Sequence, residues 1–200
     1  MGGFLRVGAV ALLALAVFAV PASATHSPGT GPSKDFVTGE AKGILATPFG
    51  PAPSQSHINA SCDQPVGCPV ATGSFWTVID FTTPSTPFAN AIGVATLRGD
   101  VICLSVTPPV SGEGGDAKNQ AIVQEATATG VIPPGIITPG VTRVLGRNID
   151  NGEPGSTNAN SAAPDRNGGI IAPALPPTFC QLPIATLPVD QGNWIVHKAL

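Results

Sequence analysis

The chain has no tyrosine, and only 10% of its 200 residues are charged. Globular domains usually carry about 25% charged residues. The 9 Lys and Arg residues form no cluster, so the electrostatic attraction on which nucleic-acid binding depends is missing. A protein that binds a sugar or another ligand usually exposes several aromatic side chains, whereas this chain has only Trp76 and Trp194 as large amphipathic aromatics. The composition argues against a nucleic-acid partner, and we expect both tryptophans in the core.

Familiar catalytic and metal-binding signatures are absent from the sequence as well. There is no G-x-S-x-G nucleophile elbow and no H-E-x-x-H zinc motif. Neither His57 nor His197 has a recognisable nucleophile near it, and scattered carboxylates do not identify glycosidase acids. We therefore expect no catalytic residue and no cofactor, with calcium as the one alternative. A hydrolase whose site is assembled from distant loops stays open, because such sites are recognised by geometry.

The N-terminus has the pattern of a secretory signal. Arg6 provides positive charge, Val7–Val20 is an unbroken apolar run, and an Ala-Ser-Ala cleavage pattern follows. A helix of this length reaches about 21 Å, which is too short for a bilayer core of roughly 30 Å. The sequence predicts that residues 1–24 are removed and that the mature chain begins at Thr25.

The rest of the chain is predicted to be secreted, with no membrane span after signal cleavage. The most apolar later stretch, Val131–Leu145, is interrupted by three prolines. Without Arg6, 8 basic and 12 acidic residues give a net charge of −4. We expect a flexible leader over residues 25–33 and a single β-rich domain over residues 34–200, long enough to form a real core.

Four cysteines remain in the mature chain, and an even number in an exported protein indicates disulfides. Sequence alone allows three pairings. We favour Cys62–Cys68, which closes a short loop, and Cys103–Cys180, which ties a central strand to the C-terminal region. The chain-entropy model gives the long closure about 4–5 kcal/mol. A zinc site is the weaker interpretation, because a C-x5-C spacing matches no common zinc motif.

Alternating apolar and polar residues predict about eight short strands separated by long Pro/Gly loops. Thr72–Phe81 is the clearest strand, with Phe75, Thr77 and Ile79 on one face. Other strands are predicted at Asp35–Gly43, Ser56–Ser61, Ala91–Leu97, Val101–Thr107, Asn119–Gly130, Thr142–Ile149 and Asn193–Ala199. The predicted fold is all-β, either an antiparallel sandwich or an up-and-down barrel.

Three stretches between these strands are predicted to be turns or loops. Thr47–Ser56 is rich in proline, and Ser156–Gly169 is rich in Asn, Ser, Ala and Gly. Arg98-Gly99-Asp100 is expected at the tip of a hairpin. The same tripeptide is one that integrins bind, but Gly-Asp is typical of turns, and we prefer the structural interpretation.

The stretch I-D-N-G-E-P-G-S raises the possibility of a metal site. Asp150, Asn151 and Glu153 could offer oxygen ligands to calcium. The alternation of an EF-hand loop is missing, however, and Asn-Gly after an apolar strand is a strong turn signal. We favour a structural turn and keep the calcium loop as an alternative.

Several motifs together resemble a known group of proteins. They are D-F-V-T-G-E-A, V-I-C-L-S-V-T, D-N-G-x-P-G-S and the terminal G-N-W-I-V-H-K-A. The chain resembles uncharacterised secreted β-rich proteins of actinobacteria and related soil bacteria. That resemblance implies a bacterial origin, export and β architecture, and the group has no activity to transfer. Members often carry an Asp soon after the turn, whereas here the nearest acid is Asp165.

The leading functional hypothesis is an exported, non-enzymatic β-domain that acts as a structural or interaction module. Its partner is an unknown protein or small ligand. One alternative is a module that binds a small ligand or calcium through residues 150–153. The second alternative is a secreted hydrolase whose site the sequence does not reveal.

Overall fold

The computed structural model describes residues 34–62, 70–82, 89–107, 114–152, 163–173, 180 and 182–198. The predicted signal peptide and leader lie outside these residues. The described chain is almost entirely β, which confirms the predicted fold class. Its elements are β1 (Asp35–Thr47), β2 (Gly50–Cys62), β3 (Thr72–Asp80), α1 (Ala89–Ile92), β4 (Val94–Thr107), β5 (Gly115–Ala128), β6 (Thr142–Asp150), β7 (Arg166–Pro173), β8 (Leu187–Pro188) and β9 (Gln191–His197).

The strands form a closed barrel. Each of β1 to β7 pairs antiparallel with the next, and a parallel contact between Ala46 of β1 and Ile170 of β7 closes the ring. The N-terminal part of β1, Phe36–Lys42, pairs on the same edge with β9. The two-residue β8 pairs with the start of β7. Closure leaves few strand edges unpaired. Of the two predicted architectures, a sandwich or a barrel, the structure has the barrel.

The barrel interior follows from the alternation of side chains along the strands. Phe75, Thr77 and Ile79 of β3 are all buried and share the inner face, as predicted. They join the main core, to which most strands contribute small or branched apolar residues. The buried apolar surface of this core is the main source of stability for the fold.

The strands β1 and β2 are longer than predicted, because the proline-rich stretch expected to be a loop belongs to their hairpin. Pro51 and Pro53 face outward and pair with Ala46 and Ile44. The pairing of β2 with β3 begins only at Ser54. A proline has no N–H to donate. Before Ser54 no strand pairs with the β3-facing edge of β2, so no N–H donor is needed on that edge at Pro51 or Pro53.

The predicted hairpin at Arg98-Gly99-Asp100 is wrong, since β4 continues through it from Val94 to Thr107. Gly99 allows β4 and β5 to lie close together, because a Cβ at this position would be 1.8 Å from the Ile122 carbonyl oxygen of β5. Arg98 and Asp100 are exposed in the middle of a strand. The tripeptide is therefore not presented at a loop tip.

Irregular register between β4 and β5 changes which β4 side chains face inward. The pairing shifts between Arg98 and Gly99 and again between Val101 and Cys103. Such β-bulges add an unpaired residue to one strand. As a result Val101 and Leu104 both belong to the main core, while Cys103 does not.

The sequence does not predict the strand β7, whose first four residues fall within the stretch Ser156–Gly169 that is predicted to be a loop. Gly168 and Gly169 look like loop residues in the sequence, yet both allow close contacts. A Cβ at Gly169 would lie 1.9 Å from Leu45 Cδ1, and one at Gly168 would lie 2.2 Å from the Ala185 carbonyl oxygen. The glycines therefore reflect crowding on both faces of β7.

A C-terminal segment covers the outside of the barrel next to β5–β7. Cys180 is joined to Cys103 of β4 by the predicted disulfide, with 5.9 Å between the Cα atoms. Arg147 donates to the Ile184 carbonyl at 3.1 Å and pairs with Asp116 at 2.8 Å, and this hydrogen-bonded carboxylate raises the pKa of Arg147. Cys62 is also disulfide-bonded. Cys68 lies outside the described residues, so the Cys62–Cys68 pairing stays a prediction.

Candidate functional site

Asp150 ends β6, and each of its carboxylate oxygens accepts a backbone hydrogen bond. Oδ1 accepts from the Gly152 N–H at 2.7 Å, and Oδ2 accepts from the Val196 N–H of β9 at 3.0 Å. Gly152 has a φ of 84°, a left-handed conformation that glycine adopts easily. The first contact shapes the start of the turn, and the second attaches β6 to β9.

Asp165, directly before β7, makes a matching pair of contacts. Oδ1 accepts from the Asn151 N–H at 3.0 Å, and Oδ2 accepts from the Trp194 N–H at 2.7 Å. The other edge of β9 is paired with β1. The carboxylates of Asp150 and Asp165 therefore satisfy N–H groups on the β9 edge that β1 leaves open, and they join β9 to the ends of β6 and β7.

The predicted calcium ligands are only partly covered by the structure, because Glu153 lies outside the described residues. Asp150 is engaged by backbone N–H groups, and the Asn151 amide donates to the Pro164 carbonyl at 2.6 Å. In the described part of the chain, no three His, Cys, Asp or Glu side chains gather as a metal ion would require. The contacts observed for Asp150 and Asn151 are structural, and a calcium site at this loop stays a prediction.

A cavity lies inside the barrel, bordered by β1–β3, β5–β7 and Trp194 of β9. Its volume is about 40 Å³, counted as the space that the centre of a water molecule can occupy. Since a buried water needs about 10–15 Å³ on this measure, the cavity has room for about three waters or a ligand of about four non-hydrogen atoms. Much of its wall is apolar, including Leu45, Ile58, Phe75, Ala121 and Val144.

Three buried asparagines form a hydrogen-bonded row along one side of this cavity. Asn119 of β5 donates from Nδ2 to Asn148 Oδ1 at 2.8 Å, and Asn148 of β6 donates to Asn167 Oδ1 at 3.3 Å. A Cβ at Gly146 would lie 2.6 Å from Asn119 Oδ1, so the glycine makes room for the row. These three residues are not among the sites predicted from the sequence. Their signal was an Asn at an inward-facing position on each of three consecutive strands.

The row ends on a donor that has no acceptor in the described part of the structure. Asn167 is 4% exposed, and its Nδ2 has no hydrogen-bond partner there. The indole Nε1 of Trp194, a residue only 1% exposed, is in the same situation. Both residues border the cavity. Buried polar groups are normally paired, so two unpaired donors at one cavity mark a place where an acceptor is required.

The cavity has no charged side chain in its described lining. The residues that border it include neither acids nor Lys or Arg. Its hydroxyl groups, on Ser56 and Thr77, bond to each other at 3.0 Å. His57 and Trp76 also border the cavity. The chemistry of the cavity is therefore that of an apolar pocket with two N–H donors, and it favours an uncharged occupant.

The outer face of β1–β4 carries a second group of side chains at adjacent positions. Glu40 pairs with His57, His57 with Trp76, and Trp76 with Arg98. The His57 and Trp76 rings stack with centroids 5.9 Å apart. We call these four residues the aromatic face. Trp194 lies in the core as predicted, but the prediction is wrong for Trp76, which is only half-buried on this face.

No family model, curated protein or solved structure matches the chain. The resemblance to uncharacterised secreted β-rich proteins therefore stays a prediction. No helix within the described ranges is both long and apolar enough to cross a bilayer.

Proposed function

We propose that this chain is an exported, non-enzymatic β-barrel that binds a small molecule in its interior. The observation that carries this proposal is the pair of buried, unpaired donors of Asn167 and Trp194 at one cavity. A core that served only for stability would be better filled by apolar side chains, because each unpaired buried donor costs about 1–3 kcal/mol. An acceptor on a bound ligand removes that cost.

Export is supported by the N-terminal sequence and by the disulfide. Val7–Val20 and the cleavage pattern after it have the form of a secretory signal. The Cys103–Cys180 bond is typical of proteins that fold in an oxidising compartment. The proposed site of action is therefore outside the cytoplasm.

A binding role, as opposed to a catalytic one, is supported by what the acidic side chains do. Asp150 and Asp165 accept backbone N–H groups of β9. Asp116 pairs with Arg147, and Asp35 pairs with Lys198 at 2.6 Å. These carboxylates hold strands and segments together, and the cavity itself is bordered by amides, hydroxyls, His57 and mainly apolar groups. Amides of this kind bind and orient a ligand.

The test is a screen of small fragments by two-dimensional NMR on the folded, oxidised chain. With two tryptophans the spectrum contains two indole N–H signals, which Trp76→Phe and Trp194→Phe assign. We expect at least one fragment of about four non-hydrogen atoms, a size set by the small cavity, to shift the Trp194 indole signal. Ala121→Val, which adds bulk to the cavity wall, should weaken that shift at least tenfold. If no fragment perturbs a cavity residue, the proposed function is wrong.

A second candidate function rests on the aromatic face and corresponds to an interaction module for another protein. Trp and Arg are common among the residues that contribute most to protein interfaces, and Trp76 and Arg98 lie together on a rigid sheet. The same spectra distinguish the two candidates. A partner that docks here would perturb the Trp76 indole signal and leave that of Trp194 in place.

A further inference from the structure

We propose that the ligand of the interior cavity is a small, uncharged carbonyl compound, which rests on the proposed function and names the chemical class that this site accepts. Two residues that border the cavity carry buried N–H donors, Asn167 Nδ2 and Trp194 Nε1, for which the described structure supplies no acceptor. A carbonyl oxygen has two lone pairs and no hydrogen to donate. It can accept from both groups without introducing a donor that would itself need a partner.

The described lining contains no Asp, Glu, Lys or Arg, which argues against an ionic ligand at this place. A carboxylate would lose its hydration inside the barrel, and the described lining contains no Lys or Arg to compensate. An ammonium group would meet donors where it needs acceptors. Of two molecules of equal size, the uncharged one should therefore bind this site much more tightly than the charged one.

The apolar walls of the cavity indicate which groups are attached to the carbonyl carbon of the ligand. Leu45, Ile58 and Phe75 on one side and Ala121 and Val144 on the other present carbon atoms to the cavity. Alkyl groups attached to the carbonyl carbon would pack against them and leave water, which favours binding. The small volume limits the enclosed part of the molecule to about four non-hydrogen atoms, the size of a simple ketone.

Three molecules of nearly equal shape test this assignment. Acetone carries the uncharged acceptor, 2-methylpropene replaces its oxygen by carbon, and acetate adds a negative charge. Each is titrated into the wild-type chain, and binding is followed from the backbone amide signals of Ala121 and Val144. We expect millimolar binding of acetone and at least tenfold weaker binding of the other two, because a site whose donors are left unpaired rejects the analogue that lacks the acceptor.

Two variants assign the preference to the two donors. Trp194→Phe removes the indole N–H, and Asn167→Leu removes the amide at similar volume. In each variant the preference for acetone over 2-methylpropene should fall several-fold. The matched control is Arg98→Leu, which removes N–H donors of the aromatic face at a residue that does not border the cavity and should leave the preference unchanged. Melting curves establish that each variant is folded, and either of the two is sufficient for the comparison.

The outcomes separate this inference from the proposed function. If 2-methylpropene or acetate binds as tightly as acetone, the barrel is a binding protein but the assigned class is wrong. If the preference survives in both Trp194→Phe and Asn167→Leu, the donors do not determine it and the class assignment also fails. If none of the three molecules, and no fragment of the screen, perturbs the cavity, water alone occupies it and both proposals fail.

Discussion

The two sides of the barrel interior are built from different chemistry. Under β2–β4 the inner face is mainly apolar, with Phe75, Ile79 and Leu97 buried. Under β5–β7 it carries the row of three asparagines, and the adjoining ends of β6 and β7 carry Asp150 and Asp165. We refer to these as the apolar side and the polar side. One barrel therefore combines a region that is stabilised by burial with a region that depends on directional hydrogen bonds.

This difference indicates a division of roles. Close apolar packing is stabilising but offers a ligand nothing specific to recognise. Buried amides and carboxylates stabilise only when their partners are in place, and an unpaired member is costly. On the polar side most groups are paired, and the unpaired donor of Asn167 lies at the cavity together with that of Trp194 on β9. The comparison predicts that stability depends most on the apolar side and ligand recognition on the polar side.

The largest expected effect is on the apolar side. Phe81, which follows β3, is fully buried in the main core, and Phe81→Ala should lower the free energy of unfolding by about 3–5 kcal/mol, through lost apolar burial and the cavity left behind. Urea denaturation measures this, with Phe81→Leu as a control that should lose less. A loss below about 1 kcal/mol would contradict the assignment of the apolar side as the main source of stability.

On the polar side we expect a smaller loss in the free energy of unfolding, concentrated at β9. Asp165→Ala leaves the N–H groups of Asn151 and Trp194 without their acceptor, and should cost about 2–4 kcal/mol. Asp165→Asn keeps one acceptor oxygen and should lose roughly half as much. Hydrogen exchange of the Trp194 and Val196 amides should accelerate first, since β9 depends on this contact. Unchanged exchange at both amides would show that the carboxylate does not hold β9.

The smallest effect concerns Asp80, an exposed carboxylate at the end of β3. The hydroxyl and backbone N–H of Thr82 donate to its Oδ1 at 2.5 and 2.8 Å and lower the pKa of Asp80. Because the folded pKa is depressed, the contribution to stability is present above the unfolded pKa and is lost as pH falls through the folded pKa. Thr82→Ala should raise the Asp80 midpoint toward its ordinary value in an NMR titration. Thr82→Ser should preserve the low midpoint, and equal midpoints in all three proteins would contradict the assigned cause.

Much of the barrel could be predicted from residue alternation, and the failures have physical causes. Thr72–Phe81 and Thr142–Ile149 were identified because their apolar residues recur with period two. The strand β7, which the sequence does not predict, contains Gly168 and Gly169. Glycines in a sequence usually indicate a loop, but these two leave room for atoms of Ala185 and Leu45. The register shift before Cys103 breaks the alternation, and only pairing with β5 reveals it.

The candidate site was much less predictable. Each asparagine of the row is a turn-prone residue when considered alone, and Asp165 was placed in a loop. What gives them their roles is that β5, β6 and β7 are adjacent and in register, so that Asn148 faces Asn167 across strands. The contacts of Asp165 with Asn151 and Trp194 span 14 and 29 residues of chain, a separation that no local pattern encodes.

Local composition and short-range periodicity are enough to predict that the chain is β-rich, that its cysteines are even in number and that its N-terminus has the form of an export signal. They do not predict that the sheet closes, that Asp150 and Asp165 hold the last strand, or that two residues with unpaired donors border one cavity. Those features arise from contacts between residues far apart in the chain, whose positions are fixed only when all strands have found their register.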